Sequence, residues 1–261
     1  MIDDNSTLVR PLSEDRALPG IDLNDAAQQT FLGKLRFSQE LVDLELDKPS
    51  ADPFKFNLQN PNFGRGDAEY LYQFLRATQP RKVIEIGSGH STKITRMALS
   101  RNSSESAVKA DHICIEPHEM SWLEQMNGVT IIRKRVEDCG LDWATELSSG
   151  DLLFIDSSHM IRPQGDVLKE YLEILPRLSS GVYVHVHDIF TPKDYLRLWV
   201  VDQVRFWNEQ YLLEALLSNS SRYEVISAVN YLKHNHFDEL QRVCPYMSKD
   251  NEPGSFYIRI R

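Results

Sequence analysis

The chain is predicted to be an α/β protein with a Rossmann-like, doubly wound, seven-stranded and mostly parallel sheet, and three features predict it. From Lys82 onward, short apolar runs alternate with helical patterns. The first run passes into a glycine turn, Gly87-Ser88-Gly89, followed by a helix-like stretch from Lys93 to Leu99. The last run, Ser255–Ile260, is placed to insert as an antiparallel strand. Apolar strands separated by amphipathic helices indicate a sheet covered on both faces.

The elements follow in order. Residues 1 to about 20 are polar and read as loose. Between Asn24 and Leu46, Phe31, Leu35, Leu41 and Val42 recur at helical spacing and predict one amphipathic helix. Pro49, Pro53 and Pro61 mark Lys48–Gly66 as an irregular connection. These segments form an N-terminal extension, 1–60, ahead of a catalytic domain, 61–261. Asp67 can cap a helix to about Thr78 that buries Tyr70, Leu71, Phe74 and Leu75. The strand candidates are Lys82–Ile86, His112–Glu116, Thr130–Lys134, Asp151–Asp156, Gly181–His187, Tyr223–Ala228 and Ser255–Ile260. Helical patterns lie at Lys93–Leu99, Met120–Met126, Gly165–Leu175 and Phe237–Val243, with a weaker one near Leu141–Leu147. An aromatic segment, Asp194–Leu217, carries Trp199, Phe206 and Leu213 at a spacing that can share one helical face. It reads equally as a helix packed on the sheet or on a second copy of the chain, or as a lid or substrate wall, with Asn208 or Glu209 reaching substrate hydroxyls.

Bulk properties exclude several classes. A formal net charge of −9 argues against a phosphate-backbone partner, because nucleic-acid binders present a basic stripe. No apolar stretch approaches the ~18 residues of a membrane span. The opening Met1-Ile2-Asp3-Asp4-Asn5 lacks a signal-peptide pattern, and Cys114, Cys139 and Cys244 are scattered and odd in number. A cytoplasmic protein with reduced thiols is expected, compatible with a homo-oligomer and with a small-molecule substrate.

The glycine turn sits where nucleotide cofactors bind, at the carboxyl end of the first sheet strand and the start of a helix. A dinucleotide fingerprint needs a third glycine, and Thr92 stands there instead. That counts against NAD. S-adenosylmethionine is favoured by Glu85 inside the first strand, by Glu116 closing the second, and by Val136-Glu137-Asp138 after the third. Glu116 is placed to accept both ribose hydroxyls, and the Glu137 segment forms an edge for adenine.

From about Gly66 onward the chain resembles the class I S-adenosylmethionine-dependent methyltransferases. The stretch Gly66-Asp67-Ala68 to Arg96-Met97-Ala98 is similar to catechol O-methyltransferase-type enzymes, although its turn reads Ser-Gly-His-Ser. The resemblance implies that Gly87 and Gly89 line the methionine moiety, that Ser91 or Thr92 meets its carboxylate, and that Glu116 holds the ribose. It also implies a metal centre. In metal-dependent members one acid closes strand four and an acidic or amide pair closes strand five. Asp156 matches the first position, and His187-Asp188 occupies the pair. Imidazole in that set keeps Mg²⁺ in play and favours Mn²⁺, Fe²⁺ or Zn²⁺. His159 stands three residues after Asp156, at the spacing of the catechol-type lysine base, and an imidazole suits that task. His185 points the same way as His187 but deeper, and His90 follows the turn.

The expected activity is divalent-metal-assisted O-methylation of a small hydroxylated substrate, a sugar, phenol or secondary metabolite. Two rivals use the same scaffold. Two histidines and a carboxylate can form the facial triad of an iron-dependent hydroxylase. A non-catalytic S-adenosylmethionine-binding protein is the other.

Overall fold

The computed structural model describes residues 8–106 and 109–261; Met1–Asn5 lie outside them. Two short helices, α1 (Asp25–Leu32) and α2 (Ser38–Asp43), precede the sheet. The order then runs α3 (Asp67–Thr78), β1 (Lys82–Ile86), α4 (His90–Glu105), β2 (Asp111–Ile115), β3 (Thr130–Ile132), α5 (Asp142–Thr145), β4 (Leu152–Ile155) and α6 (Asp166–Lys169). It closes with β5 (Tyr183–Val186), α7 (Glu209–Leu217), β6 (Tyr223–Ala228), α8 (Val229–Asn235), α9 (Phe237–Val243) and β7 (Phe256–Ile260).

The strands form one sheet in the order β3-β2-β1-β4-β5-β7-β6. All neighbours through β5 are parallel, and β7 runs antiparallel between β5 and β6. The seven predicted strands are all present. Alternate side chains feed two cores. Ile84, Ile86, Leu153, Ile155, Val184 and Val186 pack on one face with Val167, Tyr171 and Leu213. Val83, Leu152, Phe154 and Tyr257 pack on the other with α3, α4 and α9.

Register decides where the chemistry lies. Ile86 is level with both Ile115 and Ile155, and Ile155 with Val186. Gly87, Glu116, Asp156 and His187 therefore leave one edge of the sheet together. The Asp156 N–H donates to Ile86 O (2.9 Å), and the His187 N–H to Ile155 O (3.0 Å).

Several elements differ from expectation. The single N-terminal helix is two, broken between Gly33 and Phe37. Leu32, Leu35, Leu41, Leu46, Phe56 and Leu58 of that extension nonetheless join the core against α3. Met120–Met126 forms only turns, because Pro117 and Gly128 leave too short a segment to repay helix nucleation. The Gly165–Leu175 helix passes after Lys169 into a wider turn, Glu170–Ile174. The aromatic segment is not one helix. A short turn at Leu198–Asp202 and α7 are separated by irregular chain, so Phe206 and Leu213 share no face. Asp67 does not cap α3. Glu69 does so by accepting the Gly66 N–H (2.9 Å), while Asp67 accepts from Gly254 N (2.9 Å) and Ser255 Oγ (2.7 Å). Helix α8, absent from the sequence reading, is tied to the loop before β7 by Glu252. That carboxylate accepts from Lys233 Nζ (2.7 Å), Asn230 Nδ2 (2.9 Å) and His234 Nε2 (2.9 Å).

Burial works to raise the Glu252 pKa, but the bonds from His234, Lys233 and Asn230 outweigh it and hold the group at about 2. A depressed folded-state pKa contributes stability that is present above the unfolded carboxyl value and lost as pH falls toward about 2. Glu252→Gln should therefore cost about 1–2 kcal/mol at neutral pH, after discounting for the third of the side chain that meets water. Urea denaturation should show the two proteins converging as the pH is lowered from about 4.5 toward about 2.

Candidate functional site

A cavity of about 290 Å³ opens at the carboxyl ends of β1, β2 and β4, lined among others by Gly87, Glu116, Glu137, Asp156, Ser157 and Arg162. Gly87 has φ +82°, and a Cβ there would stand 2.0 Å from the Asp156 carbonyl oxygen. Only glycine allows β1 to turn this close to the end of β4. Glu116 accepts the Ser88 N–H (2.9 Å) on one oxygen and the His118 N–H (2.8 Å) on the other. Each oxygen keeps a lone pair for a ligand hydroxyl. Glu137 Oε1 accepts from Arg162 Nη2 (3.1 Å) across the opposite wall.

The other residues expected at the cofactor have different surroundings. Glu85 and Thr92 are buried beneath the turn, where Thr92 Oγ1 donates to Glu85 Oε2 (2.6 Å) and accepts the Gly89 N–H (3.1 Å). His112 Nε2 lies 3.2 Å from the second Glu85 oxygen. This chain holds the turn from below instead of lining the cavity. Ser91 is likewise buried. Gly89 has no atom within 4 Å of where a Cβ would stand, leaving its backbone open to a ligand.

Beside this cavity the ends of β4 and β5 gather four chemistry-bearing side chains. Asp156 Oδ1 lies 3.3 Å from His159 Nε2 and 3.4 Å from His187 Nδ1. Asp188 lies 3.5 Å from His159 Nε2 and 3.4 Å from His187 Nδ1. The backbone is bent to achieve this: His159 and Asp188 both adopt φ +58°. Histidine and aspartate tolerate the left-handed region better than most side chains. His159 is anchored on both sides. Its carbonyl accepts the N–H groups of Asn208 (2.9 Å) and Glu209 (3.2 Å), and its Nδ1 donates to Glu209 Oε2 (2.9 Å). Glu209 is fully buried and also accepts from Tyr171 Oη (2.9 Å). The bond at Nδ1 directs Nε2 toward Asp156 and Asp188.

His187 is covered by Phe63, with ring centroids 4.9 Å apart, and its Nε2 lies 3.7 Å from Asp67 Oδ2. Neither of its buried ring nitrogens makes a hydrogen bond of good geometry. His185 lies beneath, stacked on Tyr257 at 4.1 Å, and burial with the neighbouring His187 charge holds it well below its ordinary value. His90 opens α4, its pKa lowered by partial burial and by Lys93.

The electrostatics follow from packing acids against imidazoles. Desolvation opposes ionisation of Asp156, yet the charge of His187 and the bond from His159 hold it well below the usual carboxylate range. Burial likewise disfavours charged histidines here, but Asp156 and Glu209 raise His159, and Asp188 with Asp156 raises His187. Burial raises Asp188. The cluster thus holds protons where a cation could stand. One ligand atom each from Asp156, His159 and Asp188 lies within 4.8 Å of the others, and His187 offers nitrogens that face carboxylates without a hydrogen bond of good geometry. Carboxylate oxygens with imidazole nitrogens fit a divalent first-row ion.

The sequence reading missed Glu209 and Tyr171 as supports of His159, and Asp67 behind His187. Only the substrate-wall alternative gives Asn208 or Glu209 a role, at substrate hydroxyls; the one signal of Glu209 in the sequence is an acid at the first turn of a helix. No sequence spacing links it to His159, fifty positions away.

Residues 84–189 match the model of a methyltransferase domain. No curated protein matches the chain. Among solved structures, the chain is similar to an O-methyltransferase from Bacillus cereus in complex with S-adenosylhomocysteine, at 14% identity over 88% of this chain and 90% of that one, TM-score 0.42. It is similar to the plantazolicin methyltransferase BpumL at 13% identity, over 90% and 98% of the two chains, TM-score 0.42. A third likeness is to CalS11, a TDP-rhamnose 3′-O-methyltransferase of calicheamicin biosynthesis, at 11% identity over 90% and 94%, TM-score 0.43. Among the described residues no helix is long and apolar enough to cross a membrane. The match places a methyltransferase domain on residues 84–189, the part of the chain that runs from β1 to the end of β5 and carries the cavity and the cluster beside it.

Proposed function

We propose that the protein transfers the methyl group of S-adenosylmethionine to a hydroxyl oxygen of a small acceptor (a sugar, phenol or secondary metabolite), with a divalent cation assisting. One observation supports this reading: Asp156 lines the cavity at the ends of β1, β2 and β4 and also contacts both histidines of the adjoining cluster. Donor and acceptor would therefore meet at one carboxylate.

In this reading Glu116 holds the ribose hydroxyls, Glu137 borders the adenine, and the backbone of Gly87 and Gly89 passes close to the methionine portion. Asp156, Asp188 and His187 would hold the cation. Mg²⁺, Mn²⁺ or Fe²⁺ bound there would supply Lewis-acid charge that lowers the pKa of an acceptor hydroxyl. With a cation's charge offsetting the carboxylates that otherwise keep it protonated, His159 would be free to take the hydroxyl proton at Nε2, while Glu209, fixed by Tyr171, keeps Nδ1–H in place and offsets the charge that develops on the ring. The acceptor oxygen then attacks the sulfonium methyl carbon in line, the C–O bond forming as the C–S bond breaks and S-adenosylhomocysteine leaves, a step governed by positioning.

His159→Gln is expected to lower kcat by about 10²–10⁴-fold, the usual worth of a general base, while leaving cofactor affinity within about threefold. The assay is release of S-adenosylhomocysteine with panels of catechols and sugars under nitrogen, beside calorimetric titration of the cofactor. A product that requires oxygen and forms without S-adenosylhomocysteine would support the hydroxylase rival instead. That rival draws on the same cluster of two imidazoles with carboxylates.

A further inference from the structure

We propose that Arg205 is the binding residue for an anionic group on the acceptor, so that the substrate class is a hydroxylated small molecule carrying a carboxylate, phosphate or sulfate. The inference rests on the acceptor site placed above, and it concerns a residue that the transfer chemistry does not use.

Arg205 lies in the irregular chain between the Leu198–Asp202 turn and α7. Its backbone N–H donates to Trp199 O (2.8 Å), and the preceding Val204 is forced to φ +51° to make that return. A left-handed β-branched residue is a costly conformation, kept only where its surroundings over-determine it. The result is a guanidinium set into the corner of two indoles. Its central carbon lies 4.8 Å from the Trp199 ring and 4.5 Å from the Trp207 ring, which themselves meet edge to face at 4.9 Å. Trp207 also packs on His159, with ring centroids 4.4 Å apart. One indole thus separates the cation from the imidazole of the acceptor site.

Stacking occupies the faces of a guanidinium and leaves its N–H edges unused. No carboxylate or carbonyl among the described residues receives a hydrogen bond or ion pair from the Arg205 side chain. By contrast, Arg16 and Arg76 elsewhere in the chain are each bonded to carboxylates. An immobilised fork with free donors, half-buried against aromatic rings, suits a planar or tetrahedral oxyanion. Phe206, exposed beside it, and Ile161, two residues past His159, would border the acceptor's apolar body. The acceptor's anionic group would lie only an indole's breadth from the reacting hydroxyl, which limits the acceptor to a compact molecule.

The probe is inorganic phosphate, titrated against the full chain saturated with S-adenosylhomocysteine in EDTA, so that no metal contributes. Tryptophan fluorescence reads the binding because Trp199 and Trp207 flank the cation. Saturable binding in the millimolar range is expected, weakened at least about tenfold in Arg205→Gln and less in Arg205→Lys, which keeps charge but loses the planar fork. Unchanged S-adenosylhomocysteine affinity in both variants shows that they fold. Absence of saturable binding in the native protein, or equal binding in Arg205→Gln, overturns the proposal. Neither readout involves methyl transfer, so a failure of metal-assisted catalysis would appear separately, in turnover alone.

Discussion

Asp156→Ala should abolish methyl transfer, with kcat falling by about 10³-fold or more, the scale of losing a charge partner and a cation ligand together. Among the lining residues of the cavity, Asp156 alone also contacts His159 and His187. Its removal leaves Asp188 as the sole acid facing both imidazoles. Each histidine then loses a neighbouring carboxylate that raised its pKa and can shed its proton, so the fold need not carry an unpaired charge. The stability loss should therefore stay within about 1–2 kcal/mol, while activity disappears. Cofactor affinity should change only a few-fold, because Gly87, Glu116 and Glu137 form the remaining walls. Turnover and calorimetry on one preparation test both halves, and Asp156→Asn controls for volume. Residual activity within tenfold of native would remove Asp156 from the chemistry.

Gly87→Ala should be damaging for another reason. The new Cβ would stand 2.0 Å from the Asp156 carbonyl oxygen, a backbone atom that cannot rotate away, and φ +82° is itself unfavourable for alanine. Either the β1 turn or the end of β4 must move. A cost of about 3 kcal/mol or more is expected, from strain added to a steric clash. Cofactor binding and the Asp156–His159 geometry should fail together, since both depend on that contact. Thermal unfolding with and without S-adenosylhomocysteine checks this: a lowered Tm with no ligand-induced rise is the expected pattern. Gly89→Ala is the internal comparison, because open space surrounds that position.

The sheet was readable because buried parallel strands announce themselves as apolar runs, continuous in Leu152–Ile155 and interrupted only by His185 in Tyr183–Val186. Asp156 and His187 were readable for the same reason: each is the polar residue that follows such a run, and register places them side by side. Position in a strand does not disclose a partner from another segment. Glu85 looked like a cofactor residue, yet it is held by Thr92 and His112 below the turn. Asp67 looked like a helix cap, yet it binds the chain entering β7 and stands behind His187. Glu209 and Arg205 belong to a segment whose helical spacing misled, because the Val204 turn breaks the period. Such contacts are set by tertiary packing, which local periodicity does not encode.

The most direct measurement is S-adenosylhomocysteine formation by the full chain after metal removal with EDTA and dialysis, followed by titration with Mn²⁺ and, separately, Mg²⁺. Turnover is expected to be absent in the metal-free protein, to return as about one ion binds per chain, and to stay absent in Asp156→Ala at any metal concentration. Full-rate turnover in EDTA would contradict metal-assisted transfer and leave the Asp156–His159–His187–Asp188 cluster to act through its protons alone.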